Sequence, residues 1–305
     1  MKKLFRAPDL ATLAVASVFA VAATVLRTVA ISGQYNTATG YFLPGGANTA
    51  ANILSVIFVA LAAGWSFVSC TGKRIASDDP KYAKIASLTV GAIACFFLTT
   101  QAVMLLDGTE SRTLSDLFLA LAMACLAVGI LYFVMVFLNQ DGGMTLRAVG
   151  GFGMVAFGLF YTVRYYFIPE MPVNGDLKNQ HIMAALAMML FFLMKTRRSL
   201  YRLSGVTDRI FSLLALFFGA SVSIPELIAH FTNPSADFQS FTHPLFLLAL
   251  TAYAVVRLVA ERAKPASEAL EDKAASPTEQ ASEDAVSEPT VTELEAEPTE
   301  PETNE

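Results

Sequence analysis

Residues 117–138 read LFLALAMACLAVGILYFVMVFL, a run without one charged side chain. Wound as a helix at 1.5 Å per residue it is about 33 Å long. A hydrocarbon core about 30 Å thick needs about 20 apolar residues to cross. This run therefore reads as a membrane span. Seven more of the same kind lie on either side of it, at 9–31, 49–70, 85–105, 147–168, 180–195, 209–230 and 244–262. The run at 180–195 is short, and it spans either by taking in Asn179 and Gln180 or where the bilayer is locally thinned. Barrel strands would alternate in character over about 10 residues, whereas these runs are continuous. The expected fold is all-α: a polytopic integral membrane bundle of about eight transmembrane helices, arranged as four hairpins.

Composition agrees. The chain has 305 residues, 54% hydrophobic and 15% charged, against about 25% charged in a soluble domain. Its formal charge of −5 hides two unlike parts. Residues 264–305 hold 13 of the 26 acidic residues but only Lys264 and Lys273 among the basic ones, leaving 19 basic against 13 acidic in the rest. The sequence thus divides into a transmembrane domain at 1–263 and an acidic tail at 264–305. The tail has no aromatic residue and high like charge, so it cannot support a packed core and is expected to be disordered.

Basic residues also orient the chain. Threaded with its amino terminus inside, it places 17 of its 21 lysines and arginines on the cytoplasmic side; only Arg27, Arg112, Arg164 and Lys178 fall opposite. Such bias sets orientation, so both termini are expected in the cytoplasm. The first run, preceded by Lys2 and Lys3, is longer than a signal-peptide core of 7–15 residues and is read as an uncleaved helix. No usable N-x-S/T site occurs, because Asn233-Pro234-Ser235 is blocked by its proline. With the short loops, this leans towards a bacterial cytoplasmic membrane. Cys70, Cys95 and Cys125 all lie in spans and read as small apolar packing residues, not as a disulfide framework.

A faint repeat links Phe118–Met123 with Met183–Met188, although Leu, Ala and Met runs recur by chance in any membrane helix. Gly150, Gly151, Gly153 and Gly158 have no preceding strand, so they read as a close helix–helix seam and not as a dinucleotide fingerprint. Tyr35, Tyr41 and Phe42, with Tyr161, Tyr165 and Tyr166, read as an outer aromatic belt.

Polar residues inside spans mark functional paths by default. Arg27, Gln101, Arg164 and Glu226 each stand four residues before the estimated outer end of an ascending run, about 6 Å deep. At matched depth they can line one outward-facing pocket. Glu226 follows Pro225, whose ring removes a backbone donor and clashes with the Ser221 carbonyl. A kink and a freed carbonyl at that point are ingredients of a broken-helix site, with Arg27 or Arg164 expected as the charge partner of Glu226. All three histidines, His181, His230 and His243, fall at outer span ends and are candidate metal ligands, although no HExxH motif or i, i+4 pair supports them.

No catalytic motif and no cofactor site is legible. The first reading is a permease-like or small-ligand-binding membrane protein. Two arginines against one carboxylate favour an anionic or zwitterionic ligand; beyond that the expected partner is the lipid bilayer, and no nucleic acid. The rivals are a non-catalytic assembly subunit, whose charged groups only fix helix packing, and an outward-facing membrane enzyme using the histidines and Glu226. A nucleotide-driven pump is disfavoured, with no P-loop in the sequence.

Overall fold

In the computed structural model, the residues described are 8–36, 39–43, 45–70, 73–75, 80–107, 113–138, 144–168, 172, 175–200, 205–232, 241–260 and 263–265. Eight long helices account for nearly all of them: α1 Pro8–Gln34, α2 Gly46–Cys70, α3 Lys81–Asp107, α4 Leu114–Leu138, α5 Met144–Phe167, α6 Asp176–Leu200, α7 Gly205–Thr232 and α8 Thr242–Ala260. Each is long and apolar enough to cross a membrane. The chain is a multi-pass membrane protein in contact with the lipid bilayer. The tail beyond Pro265, expected to be disordered, lies outside the described residues.

The sixth helix runs further than its hydropathy implies. It begins at Asp176, taking Lys178, Gln180 and His181 into its first turns. These polar residues are held by neighbours: Asn48 Nδ2 donates to Asp176, Gln180 Nε2 donates to Asn48 Oδ1 at 3.4 Å, and Lys178 Nζ donates to the Ile168 carbonyl at 3.2 Å. Hydropathy averages over a window and loses a helical turn stabilised in this way.

Helices α3, α4, α5, α6, α7 and α8 pack each against the next, and α8 returns to α3, closing a circuit; α1 and α2 flank it against α7. Consecutive helices run antiparallel. One end of the bundle carries the α1–α2, α3–α4, α5–α6 and α7–α8 connections and is called the hairpin end here. The opposite, terminal end carries the α2–α3, α4–α5 and α6–α7 connections. Spans α7 and α8 are each 67% buried, against 22% for α2 and 28% for α3. Helix α7 is therefore the central post, and α2 and α3 give most of their surface to lipid.

Two faces of α1 show how sequence sets this packing. Val15, Val18, Val21, Val25 and Val29 form an exposed apolar stripe, as a lipid-facing surface should. Ala16, Ala20, Ala23 and Ala30 form the buried stripe opposite, where small side chains allow close helix approach. Arg27 lies on that alanine seam by helical spacing, so it turns into the bundle rather than out to the interface.

The α5 glycines do the same at closer range. A Cβ on Gly150 would stand 2.2 Å from the Tyr132 backbone nitrogen, and one on Gly153 would stand 2.7 Å from the Gly129 nitrogen. Only glycine lets α5 approach α4 this closely. Inside the circuit, Tyr132, Phe133, Phe192 and Tyr253 pack largely edge to face, a favoured aromatic geometry.

Two small strand pairs decorate the ends. Beside the hairpin end, β1 Tyr35–Asn36 pairs antiparallel with β2 Tyr41–Phe42, and Gly40 takes the positive φ (70°) of the turn. At the terminal end, β3 Lys73–Ile75 pairs antiparallel with β4 Ala263–Pro265, tying the α2–α3 connection to the chain just beyond α8. Nearby, Asp208 of α7 accepts from Lys195 at 2.9 Å and faces Arg198 at 3.5 Å.

Candidate functional site

Glu226 is 5% exposed on the central helix. One carboxylate oxygen, Oε1, is in direct contact with Nε2 of His181 on α6, and the other stands 3.8 Å from Nδ1 of His243 on α8. Both imidazoles are held by aromatic rings. His181 stacks on Tyr165 with centroids 4.7 Å apart, and His243 stacks on Tyr161 at 5.4 Å. The Tyr165 hydroxyl lies 3.1 Å from His243 Nε2. His181 Nδ1 is buried and has no hydrogen-bond partner.

Arg27, 3% exposed, occupies a second polar centre. Its Nη1 donates to Ser221 Oγ at 3.1 Å and to the Ser221 carbonyl at 3.4 Å, and its Nη2 donates to Ser55 Oγ of α2 at 3.3 Å. The Ser221 carbonyl is the one that Pro225 deprives of its helical donor. Helix α7 runs continuously from Gly205 to Thr232 with Pro225 inside it, so the guanidinium fills the gap in the hydrogen-bond ladder. Among the described residues no carboxylate lies within 4 Å of Arg27.

The expected pairing of Glu226 with Arg27 or Arg164 is thus replaced by pairing with histidines. The reason is helical phase. Ser221 and Glu226 are five residues apart, about 140° around the axis and about 7.5 Å along it. The face of α7 that carries Ser221 meets α1 and α2, whereas Glu226 turns towards α6 and α8. Arg164 sits on α5, whose main packing partners are α4 and α6. Its guanidinium lies 5.4 Å over the Tyr161 ring, with Nη1 donating to the Tyr161 hydroxyl at 3.2 Å.

Gln101 Nε2 donates to Thr242 Oγ1 at 3.3 Å, one residue from His243. Arg27, Gln101, Arg164 and Glu226 therefore do not touch one another. Gln101 and Arg164 approach the Glu226 centre through Thr242 and Tyr161, and Arg27 engages α7 lower down. Of the three histidines, His181 and His243 join Glu226. His230 is half-buried against the rings of Phe231 and Phe241 and takes no part.

The sequence points to each histidine, and joins the three to Glu226 only in the reading as an outward-facing membrane enzyme, without separating His181 and His243 from His230. The available signal was level: His181 and His243 open descending helices at the height where ascending α7 carries Glu226. Tyr165, assigned to an aromatic belt, is buried and belongs to this centre. Tyr161 also borders a cavity of about 30 Å³ lined with Met154, Phe157, Met188, Met189 and Phe246, room for about one water molecule.

No protein-family model matches the chain, and comparison with curated proteins and with solved structures finds no similar one.

Proposed function

We propose that this protein is a permease-like, small-ligand-binding membrane protein whose polar site near the outer face engages an anionic or zwitterionic solute. The orientation follows the basic-residue bias, which puts the hairpin end outside and both termini in the cytoplasm. The observation that carries the reading is Arg27. It is a buried cation within a span, hydrogen-bonded to two serine hydroxyls and a backbone carbonyl, with Asp176 acting on it electrostatically and no carboxylate within 4 Å among the described residues. Intramembrane charges are normally paired or face a solute path, and a guanidinium is suited to bidentate capture of a carboxylate or phosphate. Glu226 forms the neighbouring polar centre on the α6 and α8 side of α7, which Gln101 and half-exposed Arg164 approach through Thr242 and Tyr161. The rival assembly-subunit reading needs no ligand at all.

Uptake by the reconstituted protein separates them. Proteoliposomes should accumulate at least one labelled small anion or amino acid, and Arg27→Gln should reduce that uptake at least 10-fold while the protein remains folded. Absence of uptake across a broad panel of anions and amino acids by the folded protein would favour the assembly subunit.

A further inference from the structure

We infer that His181, Glu226 and His243 form a binding site for one divalent transition-metal ion, with zinc as the reference ion. The three side chains come from three different helices and are all buried, and one ligand atom from each lies within 4.8 Å of the others. Zinc takes imidazole nitrogen and carboxylate oxygen at about 2.0–2.2 Å. On a tetrahedron, ligand atoms at those distances stand about 3.3–3.5 Å apart. The His243 Nδ1 to Glu226 Oε2 separation of 3.8 Å is too long for a hydrogen bond and close to that bridged spacing.

A salt bridge needs one histidine, and His181 alone satisfies it. The second imidazole, turned to the other carboxylate oxygen, is what an ion requires. The Tyr165 hydroxyl lies beside this ring, 3.1 Å from Nε2 and 3.5 Å from Nδ1, and holds the imidazole in place next to the carboxylate. An outer partner of this kind orients a metal-binding histidine and sets its tautomer. His181 Nε2 meets Glu226 Oε1 directly, so an ion would replace the proton between them, and the Nδ1 of His181, which makes no hydrogen bond, would carry the proton of the neutral ring.

The donor set narrows the ion. Calcium takes 6–8 oxygen ligands, and this cluster offers one carboxylate. Copper(I) favours thiolate or thioether ligands, and none is in the group. Two imidazoles and a carboxylate suit zinc, cobalt or iron(II). One carboxylate against a 2+ ion leaves a net positive centre with an open coordination position.

Metal binding is measured on the full-length protein in detergent, stripped with a chelator and titrated with zinc against a colorimetric indicator. The expected result is one zinc per chain, with affinity falling at least 100-fold in His181→Ala, His243→Ala and Glu226→Gln. Tyr165→Phe, which keeps the ring packing, should weaken binding 10–100-fold, as loss of an outer partner does. X-ray absorption at the zinc edge on the unaltered protein serves if a variant does not fold, and should show two imidazole ligands. No saturable zinc binding, unchanged affinity in folded His243→Ala, or a coordination shell without imidazole would each overturn the site. Zinc binding without solute uptake keeps this site and removes the transport reading; uptake without zinc binding does the reverse.

Discussion

Glu226 shows what one residue contributes. Burying a carboxylate is costly unless it is paired, and breaking a buried pair by removing one partner typically costs about 3–5 kcal/mol. Glu226→Gln in metal-free protein should therefore destabilise the bundle by about 1–3 kcal/mol, the penalty for an orphaned buried polar partner, or more where His181 carries a charge. The pairing can be tested by a double-mutant cycle in thermal or denaturant unfolding. Glu226→Gln with His181→Ala should be non-additive by at least about 0.5 kcal/mol, as residues in contact are. Glu226→Gln with Arg27→Gln should be closer to additive, because the two side chains do not meet. Additivity with His181 and coupling with Arg27 would reverse the assignment. From the sequence, Arg27 or Arg164 was the natural partner by charge and depth, and His181 was joined to Glu226 only in the enzyme reading. Charge and depth can be read along a single chain, but the phase at which α7 offers Ser221 to α1 and Glu226 to α6 depends on which helices surround it.

At the scale of the element, helix existence followed from uninterrupted apolar runs, and the eight spans match the eight helices closely. Helix ends were less legible, as α6 shows, because Asp176 and Gln180 are stabilised by Asn48 on a different helix. The α5 glycines could be read as a packing seam from spacing alone, and they can be tested. Gly150→Ala places a methyl group against the Tyr132 backbone, at 2.2 Å before relaxation. Backbone cannot rotate away as a side chain can, so α5 must move from α4. Overpacking of this kind costs about 1–3 kcal/mol, visible as a lowered melting temperature in detergent. Gly64→Ala on α2 has nothing within 4 Å of the new Cβ and should be neutral or mildly stabilising, since helical glycine is less favourable than alanine by about 1 kcal/mol. Equal losses at both positions would mean that the α4–α5 approach is not the cause.

For the whole molecule, orientation and the tail were inferred from charge, and both can be checked. In a cysteine-free background, single cysteines near Lys73 and Arg198 should be shielded from an impermeant reagent in intact cells, and one near Asn174 should react. The opposite pattern would invert the bundle and move the polar centres to the cytoplasmic face. Truncation after Ala266 keeps β4 paired with β3 and should leave the melting temperature within about 1 °C, because the acidic tail has little apolar surface to bury. The central claim is that the polar centre around Arg27, beside that of Glu226, binds a solute rather than only fixing helix packing. The most direct measurement is the thermal unfolding of purified protein against a panel of small anions and amino acids. A ligand that binds only the native state at 100 times its Kd stabilises it by about 2.7 kcal/mol. The account predicts at least one such upward shift in the unaltered protein and its loss in folded Arg27→Gln; a panel with no shift, or a shift that survives Arg27→Gln unchanged, would contradict it.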